Sequence, residues 1–451
     1  ATVTVLQLHS ETDDALPDTL LVAALASRVS EALADERIFR RAQGNADLLV
    51  AQEWDFARSA AQAECARLGT SRRQEGRVPL SDSQERQLAN AAIAQVLGLG
   101  RLQSLLDDPE ISDIHVRGCA PVWVKQRNGT RQMVASVVDT DDELIELIRR
   151  AATRMGRTER RFDAATPELN LQLPDGSRLF ATMEVSARPS LVIRRHRFEI
   201  STLSELRSRG LFDETLEDFF AAAVSAKRNI VIAGGTGSGK TTLLRALINE
   251  VSASERIVTI EDAYELGLDR FEDLHPDHDA LQSRPANIEG RGEITLADLT
   301  RMALRMDPDR VIVGEVRGAE AFPMLMAMSQ GNNGSMCTMH ADSTRSVFPK
   351  LAAYVSMAST GLPVETVNLL VASAIHFVVY IDNTNSVRRV TSVREVVDSE
   401  GSTIVSNEIF HLNIEDGVVT GFPLREHTRK LLAAHGLGTH MSSVPKIENA
   451  S

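Results

Sequence analysis

The sequence of 451 residues is poor in cysteine, and this scarcity excludes one class of metal site. Its three cysteines, Cys65, Cys119 and Cys337, include no C-x-x-C pair. A four-cysteine zinc module is therefore excluded, and the scattered usage is typical of a protein from a reducing compartment.

Aromatic residues and positive charge are scarce as well. Phe, Trp and Tyr make up 4% of the chain, and 49 Lys and Arg residues against 62 Asp and Glu give a net charge of -13. Surfaces that hold single-stranded nucleic acid need aromatic rings for stacking and a basic groove for the backbone. The composition therefore predicts no nucleic-acid partner.

Long apolar runs are missing too. The chain contains no stretch of about 18 uninterrupted apolar residues, which is the length that a membrane-spanning helix requires. Residues 1–10 lack the basic segment followed by an apolar stretch that marks a signal peptide. We expect no direct membrane insertion, so any membrane role is expected to be peripheral.

The chain is long enough for two or three domains, and its patterns divide it into four segments. Residues 1–80 show helical spacing and are predicted to form a helical leader. Residues 81–205 combine a helix with short alternating runs and turn signals, which predicts an α+β domain. Residues 206–435 are predicted to form an α/β domain, and residues 436–451 a polar tail.

The α/β prediction depends on four apolar runs rich in β-branched residues. Continuous apolar runs separated by helical stretches are typical of a parallel sheet that is buried on both faces. Ligands of such sheets bind at the carboxyl ends of the strands. The runs are Asn229–Ala233, Arg256–Ile260, Arg310–Val313 and Ser335–Met339.

A phosphate-binding motif follows the first of these runs. Residues 234–241 read GGTGSGKT and match G-x-x-x-x-G-K-[ST] at every fixed position, with a predicted helix, Leu243–Val251, behind them. Lys240 is expected to neutralise the β and γ phosphates of ATP, and Thr241 to bind Mg²⁺. A glycine turn that matches by chance is the alternative. The expected nucleotide-binding residues are Gly234, Gly235, Thr236, Gly237, Ser238, Gly239, Lys240, Thr241 and Thr242.

Polar residues also end the other three runs. Glu261 and Asp262 follow the second run, Glu315 the third and His340 the fourth, so all are expected to face the crevice that holds the motif. A carboxylate at that place can orient water or bind the metal, and an imidazole can contact the γ phosphate. The alternatives are a surface glutamate at Glu315, a helix N-terminal charge pair at Glu261 and Asp262, and a structural histidine.

Together these segments resemble the secretion ATPase superfamily of type II and type IV secretion and type IV pilus systems, particularly its Tad (tight adherence) pilus-assembly branch. The resemblance covers about residues 82–425. Besides the glycine motif, Thr259–Leu266 is similar to the family's Asp box, Arg310–Gly318 to its Walker B segment and Gly334–Ala341 to its His box.

The resemblance implies a RecA-like P-loop motor domain with an N-terminal PAS-like α+β domain, nucleotide between them, and a hexameric ring. It implies that Glu261 binds the metal's water or acts as a base, that Glu315 is the Walker B glutamate and metal partner, and that His340 senses the γ phosphate. It further implies that arginines contact the nucleotide, with a solvated basic strand edge as the alternative. These arginines are Arg194, Arg195, Arg197 and Arg317.

Two departures from the family pattern stand out. The usual Gly-His pair ahead of the His box is replaced by Gly331-Asn332-Asn333. The four-cysteine zinc insert of many type II secretion ATPases is missing, which favours the Tad or conjugation branch.

The function expected from the resemblance is a hexameric motor that hydrolyses ATP in the cytoplasm and powers pilus assembly or substrate export. The motor is expected to reach the inner face of the cytoplasmic membrane through an inner-membrane platform protein. Two alternatives from other classes remain open: a nucleotide-gated scaffold with little turnover, and a RecA-like nucleic-acid translocase.

Overall fold

A computed structural model describes residues 18–155, 161–195, 201–287, 289–384 and 387–438. The chain divides into two compact units, Ala1–His196 and Arg197–Ser451. Each unit is described by itself below.

The first unit begins with a group of three helices in its described part. Helices α1 (Thr19–Ala42), α2 (Val50–Gln74) and α3 (Asp82–Val96) pack against each other through residues spaced about one turn apart. Ser81 begins α3 with a capping box, because its side chain accepts from the Gln84 N–H while the Gln84 side chain accepts from the Ser81 N–H. The buried residues shared by the three helices include Val29, Leu33, Ala57, Ala61, Leu88 and Ala92.

An antiparallel sheet of six described strands follows in the same unit, in the order β3-β2-β1-β6-β5-β4. Apolar side chains alternate along its strands, as expected for a sheet with one buried face. The elements are α4 (Gln103–Asp107), β1 (Ile111–Arg117), β2 (Val122–Gln126), β3 (Arg131–Val134), α5 (Asp141–Met155), β4 (Glu168–Gln172), β5 (Arg178–Thr182) and β6 (Ser190–Arg194).

The second unit alternates strands and helices before it ends in a β meander. Its helices are α6 (Leu203–Ser208), α7 (Glu214–Ser225), α8 (Lys240–Asn249), α9 (Leu296–Ala303), α10 (Ala321–Ser329), α11 (Val347–Met357), α12 (Val364–Ala374) and α13 (Glu426–Ala434). Its strands are β7 (Ile230–Gly234), β8 (Ile257–Glu261), β9 (His278–Gln282), β10 (Arg310–Val316), β11 (Met336–Met339), β12 (Phe377–Thr384), β13 (Val387–Glu400), β14 (Thr403–Leu412) and β15 (Val419–Thr420).

These described strands form one sheet in the order β15-β14-β13-β12-β7-β11-β10-β8-β9. The strands from β12 to β9 run parallel, and β13 to β15 add antiparallel strands at one edge. β7, β8 and β11 are buried along their whole length, with one hydrophobic cluster on each face of the sheet. The predicted α/β class with a RecA-like sheet is confirmed.

Two element boundaries differ from the sequence prediction. The helix after the glycine motif begins at Lys240 instead of Leu243, because the left-handed Gly239 ends the loop and directly precedes the first helical turn. The third apolar run continues as strand through Val316, so Glu315 lies within β10 rather than after it. No helix in the described ranges is both long and apolar enough to cross a bilayer.

Candidate functional site

The strand order brings the predicted polar segments to one edge of the sheet. β8, β10, β11 and β7 are consecutive neighbours and run parallel, so their carboxyl ends share that edge. Glu261 ends β8, Glu315 is the penultimate residue of β10, and His340 follows β11. The glycine loop follows β7 at the same edge and leads into α8.

The glycine loop has a backbone that only glycine adopts readily. Gly234, Gly237 and Gly239 have φ values of 157°, 71° and 99°. A Cβ on Gly234 would lie 2.6 Å from the Ile381 carbonyl oxygen, whereas a Cβ on Gly235 or Gly237 would meet no atom within 4 Å. The loop is therefore tight against the sheet at its start and open further on, which is the shape that a backbone cradle for phosphates requires.

Lys240 points back into this loop. Its Nζ donates to the carbonyl oxygens of Gly234, at 3.1 Å, and Gly235, at 2.9 Å. The residue is 7% exposed, and burial lowers the pKa of its ammonium group, while the nearby carboxylates of Glu315 and Glu265 act in the opposite direction. A buried cation inside a loop of backbone dipoles is suited to binding a polyanion.

Glu315 and His340 are paired across neighbouring strands. The Nε2 atom of His340 lies 2.9 Å from Oε1 of Glu315, and its Nδ1 lies 3.4 Å from Nζ of Lys240. Both contacts are satisfied by a neutral imidazole that carries its proton on Nε2, with Lys240 donating to Nδ1. The structure thus joins three of the predicted site residues in one hydrogen-bonded chain.

Two further hydrogen bonds position this chain. Thr338 Oγ1 donates to the Gly314 carbonyl at 2.6 Å, which ties β11 to β10 directly before Glu315. Lys350 Nζ donates to the His340 carbonyl at 2.9 Å. The backbone on both sides of the Glu315–His340 pair is therefore fixed by side chains, one from Thr338 within the His-box segment and one from Lys350 outside the motif segments.

Glu261 is placed differently from the expectation that it faces the open crevice. It is 3% exposed and packs against β10, where a Cβ on Gly314 would lie 3.2 Å from its Cγ. Its Oε2 accepts from the N–H groups of Glu265, at 2.7 Å, and Leu266, at 2.8 Å. Burial raises the pKa of Glu261 to about 7, although these two hydrogen bonds oppose the shift.

The alternative of a helix N-terminal charge pair does not hold at this position. The residues directly after Glu261 form bends, and the carboxylate of Glu261 folds this segment back onto the strand end. Asp262 forms an ion pair with Arg317, and its Oδ1 accepts from Ser283 Oγ at 2.8 Å. Arg317 is therefore engaged by a neighbouring carboxylate.

Two glutamates at the site have no role in the sequence prediction. Glu265 lies close enough to Lys240 to act on its pKa. Glu320 is 6% exposed, and its Oε1 accepts from the N–H groups of Arg317, at 2.6 Å, and Gly318, at 2.8 Å, which closes the turn after β10. The family resemblance of the Arg310–Gly318 segment stops two residues short of Glu320, so the sequence carried no signal for it.

The predicted arginines of the first unit belong to its sheet. Arg194 ends β6 and lies 3.3 Å from Asp113 on the adjacent strand β1. Arg195 Nη1 donates to the Ile111 carbonyl at 3.1 Å. Arg197 lies outside the described residues. Asp113 and Ile111 thus hold the two described arginines within this unit.

The loop and the first turn of α8 fit the triphosphate and Mg²⁺ that the motif predicts. Thr241 and Thr242 are half-buried in that turn, and no side chain caps the helix start at Gly239. The Ser238 hydroxyl is buried without a hydrogen-bond partner among the described residues. Phosphate oxygens can accept hydrogen bonds from three kinds of donor here: the uncapped N–H groups, the Ser238 hydroxyl and the Lys240 ammonium group. Thr241 offers a hydroxyl oxygen to a hard cation.

The chain matches the family described as type II/IV secretion system protein over residues 96–406. A Mycobacterium tuberculosis protein that is named for conjugal transfer is 35% identical over 312 residues, covering 67% of this chain and 86% of the relative. The type IV secretion system protein PtlH of Bordetella pertussis is 33% identical over 311 residues, covering 63% and 89%.

A crystal structure of the VirB11 ATPase from the type IV secretion system of Brucella suis is also similar. It shares 29% sequence identity with this chain. The match covers 65% of this chain and 91% of the VirB11 chain, with a TM-score of 0.35.

Proposed function

Because this chain belongs to the family of type II/IV secretion system proteins, we propose that it is an ATP-hydrolysing motor of a secretion or pilus-assembly machine. The observation that carries the proposal is the hydrogen-bonded chain from Lys240 through His340 to Glu315 beside the glycine loop. A phosphate-binding loop with a carboxylate and an imidazole at its γ-phosphate side is suited to phosphoryl transfer to water.

Each member of this chain has a separate task in hydrolysis. Lys240 exchanges its contacts with the Gly234 and Gly235 carbonyls for the β and γ phosphate oxygens, and so neutralises charge that develops on them. Glu315 accepts a hydrogen bond from the attacking water and directs its oxygen toward the γ phosphorus. His340 holds the Glu315 carboxylate through Nε2. Its Nδ1 loses the hydrogen bond from Lys240 when Lys240 turns to the γ phosphate, so His340 senses that phosphate.

Mg²⁺, when bound, would supply positive charge that stabilises the charge developing on the phosphate oxygens. Thr241 and Glu315 are the residues that would hold it. Glu261 would accept from water bound to the metal only after giving up its hydrogen bonds from the N–H groups of Glu265 and Leu266. Burial raises the pKa of Glu261 to about 7, and a carboxylate with a pKa near neutral pH is suited to accept a proton as a base.

We further propose that arginines complete the nucleotide site. Arg194, Arg195 and Arg197 would clamp phosphate charge, since a guanidinium group can bind phosphate through two hydrogen bonds. Arg317 would join them by exchanging Asp262 for phosphate.

The proposed assembly is a homo-hexamer that works in the cytoplasm and is held at the inner face of the membrane by an inner-membrane platform protein. Within the family we place it in the Tad pilus-assembly branch or the neighbouring conjugation branch, because the four-cysteine zinc insert is absent from the sequence. The work of the motor would be pilus subunit assembly or substrate export.

Phosphate release from ATP and Mg²⁺ by the purified chain tests this proposal. We expect steady turnover in the wild type and at least a 100-fold lower kcat in E315Q, because a neutral amide cannot orient and activate water as a carboxylate does. ATP binding should persist in E315Q and be lost in K240A. Turnover that survives in both variants would refute the assignment.

The same experiment separates the two alternatives. Tight ATP binding by a wild-type chain that does not complete even a single turnover would indicate a nucleotide-gated scaffold. Hydrolysis that rises several-fold with single-stranded DNA would indicate a nucleic-acid translocase instead. We expect neither result.

A further inference from the structure

The β12–β13 ladder extends past the edge of the parallel sheet beside the glycine loop. β12 pairs with β7 from Phe377 opposite Ile230 to Ile381 opposite Gly234, where β7 ends. β12 continues to Thr384, and β13 returns antiparallel with Arg388 opposite Asn383. The ladder therefore places Arg388 two positions beyond the last pair that β12 makes with β7.

Arg388 lies next to the last glycine of the loop. A Cβ on Gly239 would lie 3.7 Å from Cδ of Arg388, so the aliphatic part of the arginine passes over the start of α8. The side chain is exposed, and its guanidinium has no hydrogen-bond or ion-pair partner among the described residues. Arg256, Arg310 and Arg317 of the same unit differ in this respect, since each pairs with a carboxylate.

The side from which Arg388 approaches decides which part of a nucleotide it can reach. In the sheet order, β11, β10 and β8 lie on one side of β7 and carry His340, Glu315 and Glu261. β12 and β13 lie on the other side. Arg388 thus faces the loop from the side away from the Glu315–His340 pair.

We propose that Arg388 is a phosphate-binding residue that contacts the α and β phosphates, which ATP and ADP share. The inference rests on the proposed function, because it needs a nucleotide in the glycine loop. Arg388 and Lys240 then hold the phosphate chain from two sides. Of these two residues, Lys240 alone reaches the γ phosphate. Arg388 therefore controls how tightly nucleotide is held before and after hydrolysis, rather than the rate of the chemical step.

A guanidinium suits this place for two reasons. It carries a delocalised positive charge that attracts phosphate oxygens, and its planar fork can give two hydrogen bonds to one phosphate group. Because Arg388 is exposed and pairs with none of the described residues, no ion pair within the described ranges must be broken when nucleotide binds. The contact is electrostatic, so its effect should weaken as salt concentration rises.

Arg389 provides a matched control on the same strand. It is exposed, follows Arg388 directly and has no hydrogen-bond or ion-pair partner of its guanidinium within the described ranges. Because successive side chains of a strand point to opposite faces, Arg389 points away from the side that carries Arg388. R388Q and R389Q therefore remove the same charge from neighbouring positions of one folded element.

The test is the equilibrium affinity of the full chain for ADP, measured by calorimetry at low and at physiological salt. We expect R388Q to raise the Kd for ADP about tenfold, as for the loss of one charge-assisted hydrogen-bonded contact, and R389Q to leave it within twofold. R388K should lie between wild type and R388Q. In hydrolysis, R388Q should raise KM by a similar factor and leave kcat within about twofold.

Each outcome bears on a defined claim. A wild-type chain that binds no ADP would refute the proposed function itself. ADP binding that is equal in wild type and R388Q, or that falls equally in R388Q and R389Q, would refute the role of Arg388 and leave the proposed function standing. A large fall in kcat in R388Q with unchanged ADP affinity would also refute the role of Arg388 in holding nucleotide, because that pattern indicates a contact made only in the transition state.

Discussion

The carboxylate of Glu261 shows how the surroundings of a single residue set its chemistry. It occupies a family position expected to face metal-bound water, yet it is 3% exposed and accepts hydrogen bonds from two backbone N–H groups. The hydrogen bonds favour the charged form and burial favours the neutral form, and burial has the larger effect. The group can therefore gain or lose a proton in the physiological range.

This environment makes the stability of the protein depend on pH. The pKa of Glu261 is about 7 in the folded chain against a usual 4.5, so the folded state binds its proton more tightly than the unfolded state does. Between these two values stability falls as pH rises, by about 3 kcal/mol over the full interval. Urea unfolding at pH 4.5 and 7.5 should show this fall in wild type and lack it in E261Q.

A control separates this effect from the general influence of charge. Glu293 is exposed, so E293Q removes a carboxylate without changing a buried group. E293Q should follow the wild-type pH dependence. If the difference between wild type and E261Q is the same at both pH values, the pKa of Glu261 is not raised by folding.

At the scale of elements, Asn229 connects the segments that surround the central strand. It is fully buried directly before β7, and its Nδ2 donates to the carbonyls of Met328 at the end of α10 and Ala374 at the end of α12. Its Oδ1 accepts from the N–H groups of Gly334 and Ser335 before β11. These contacts fix the amino ends of β7 and β11, whose carboxyl ends carry the glycine loop and His340.

Removal of the Asn229 side chain should therefore destabilise the second unit strongly. In N229A four buried backbone groups lose a partner, and each unsatisfied buried group costs about 1–3 kcal/mol. We expect a loss of at least about 3 kcal/mol in the free energy of unfolding, measured by urea denaturation.

Asn332 offers the comparison for this element. Its Nδ2 donates to the Pro308 carbonyl, and the residue is half-buried. N332A should cost about 1 kcal/mol, the usual net worth of one hydrogen bond. A loss in N229A no greater than that in N332A would show that Asn229 does not connect these elements.

For the whole molecule, the proposed motor requires several copies of a chain of 49.3 kDa. A ligand that binds the assembled form favours it by mass action, so light scattering on the wild type with ATP and Mg²⁺ should give about six times that mass. K240A, which cannot hold the phosphates, should give a smaller species at the same concentration. A monomer in every condition would contradict the hexamer while leaving the hydrolysis assay to decide the enzymatic role.

Much of the second unit was predictable from sequence because its signals are local. Four apolar β-branched runs predicted the core of the parallel sheet, and residues 234–241 predicted the loop between β7 and α8. The adjacency of Glu315 and His340 was also expected, since parallel strands end at one edge. Each of these inferences needs only residues within one segment, together with a general rule for parallel sheets.

Other features depend on contacts between residues far apart in the chain. Arg388 reaches Gly239 across about 150 residues because β12 and β13 lie beside β7, and Asn229 reaches Gly334 across about 100 for a similar reason. No periodicity or spacing in the sequence reports such neighbours. The burial of Glu261 belongs to the same class, since it depends on how closely Gly314 of β10 packs against it.

The sequence by itself determined the class of sheet, the phosphate-binding loop and the identity of the polar residues at the strand ends, because hydrophobic pattern and glycine content act locally. The tertiary structure alone decided the strand order. That order pairs His340 with Glu315, buries Glu261 and brings Arg388 to the loop, because distances between distant segments arise only when the sheet is assembled.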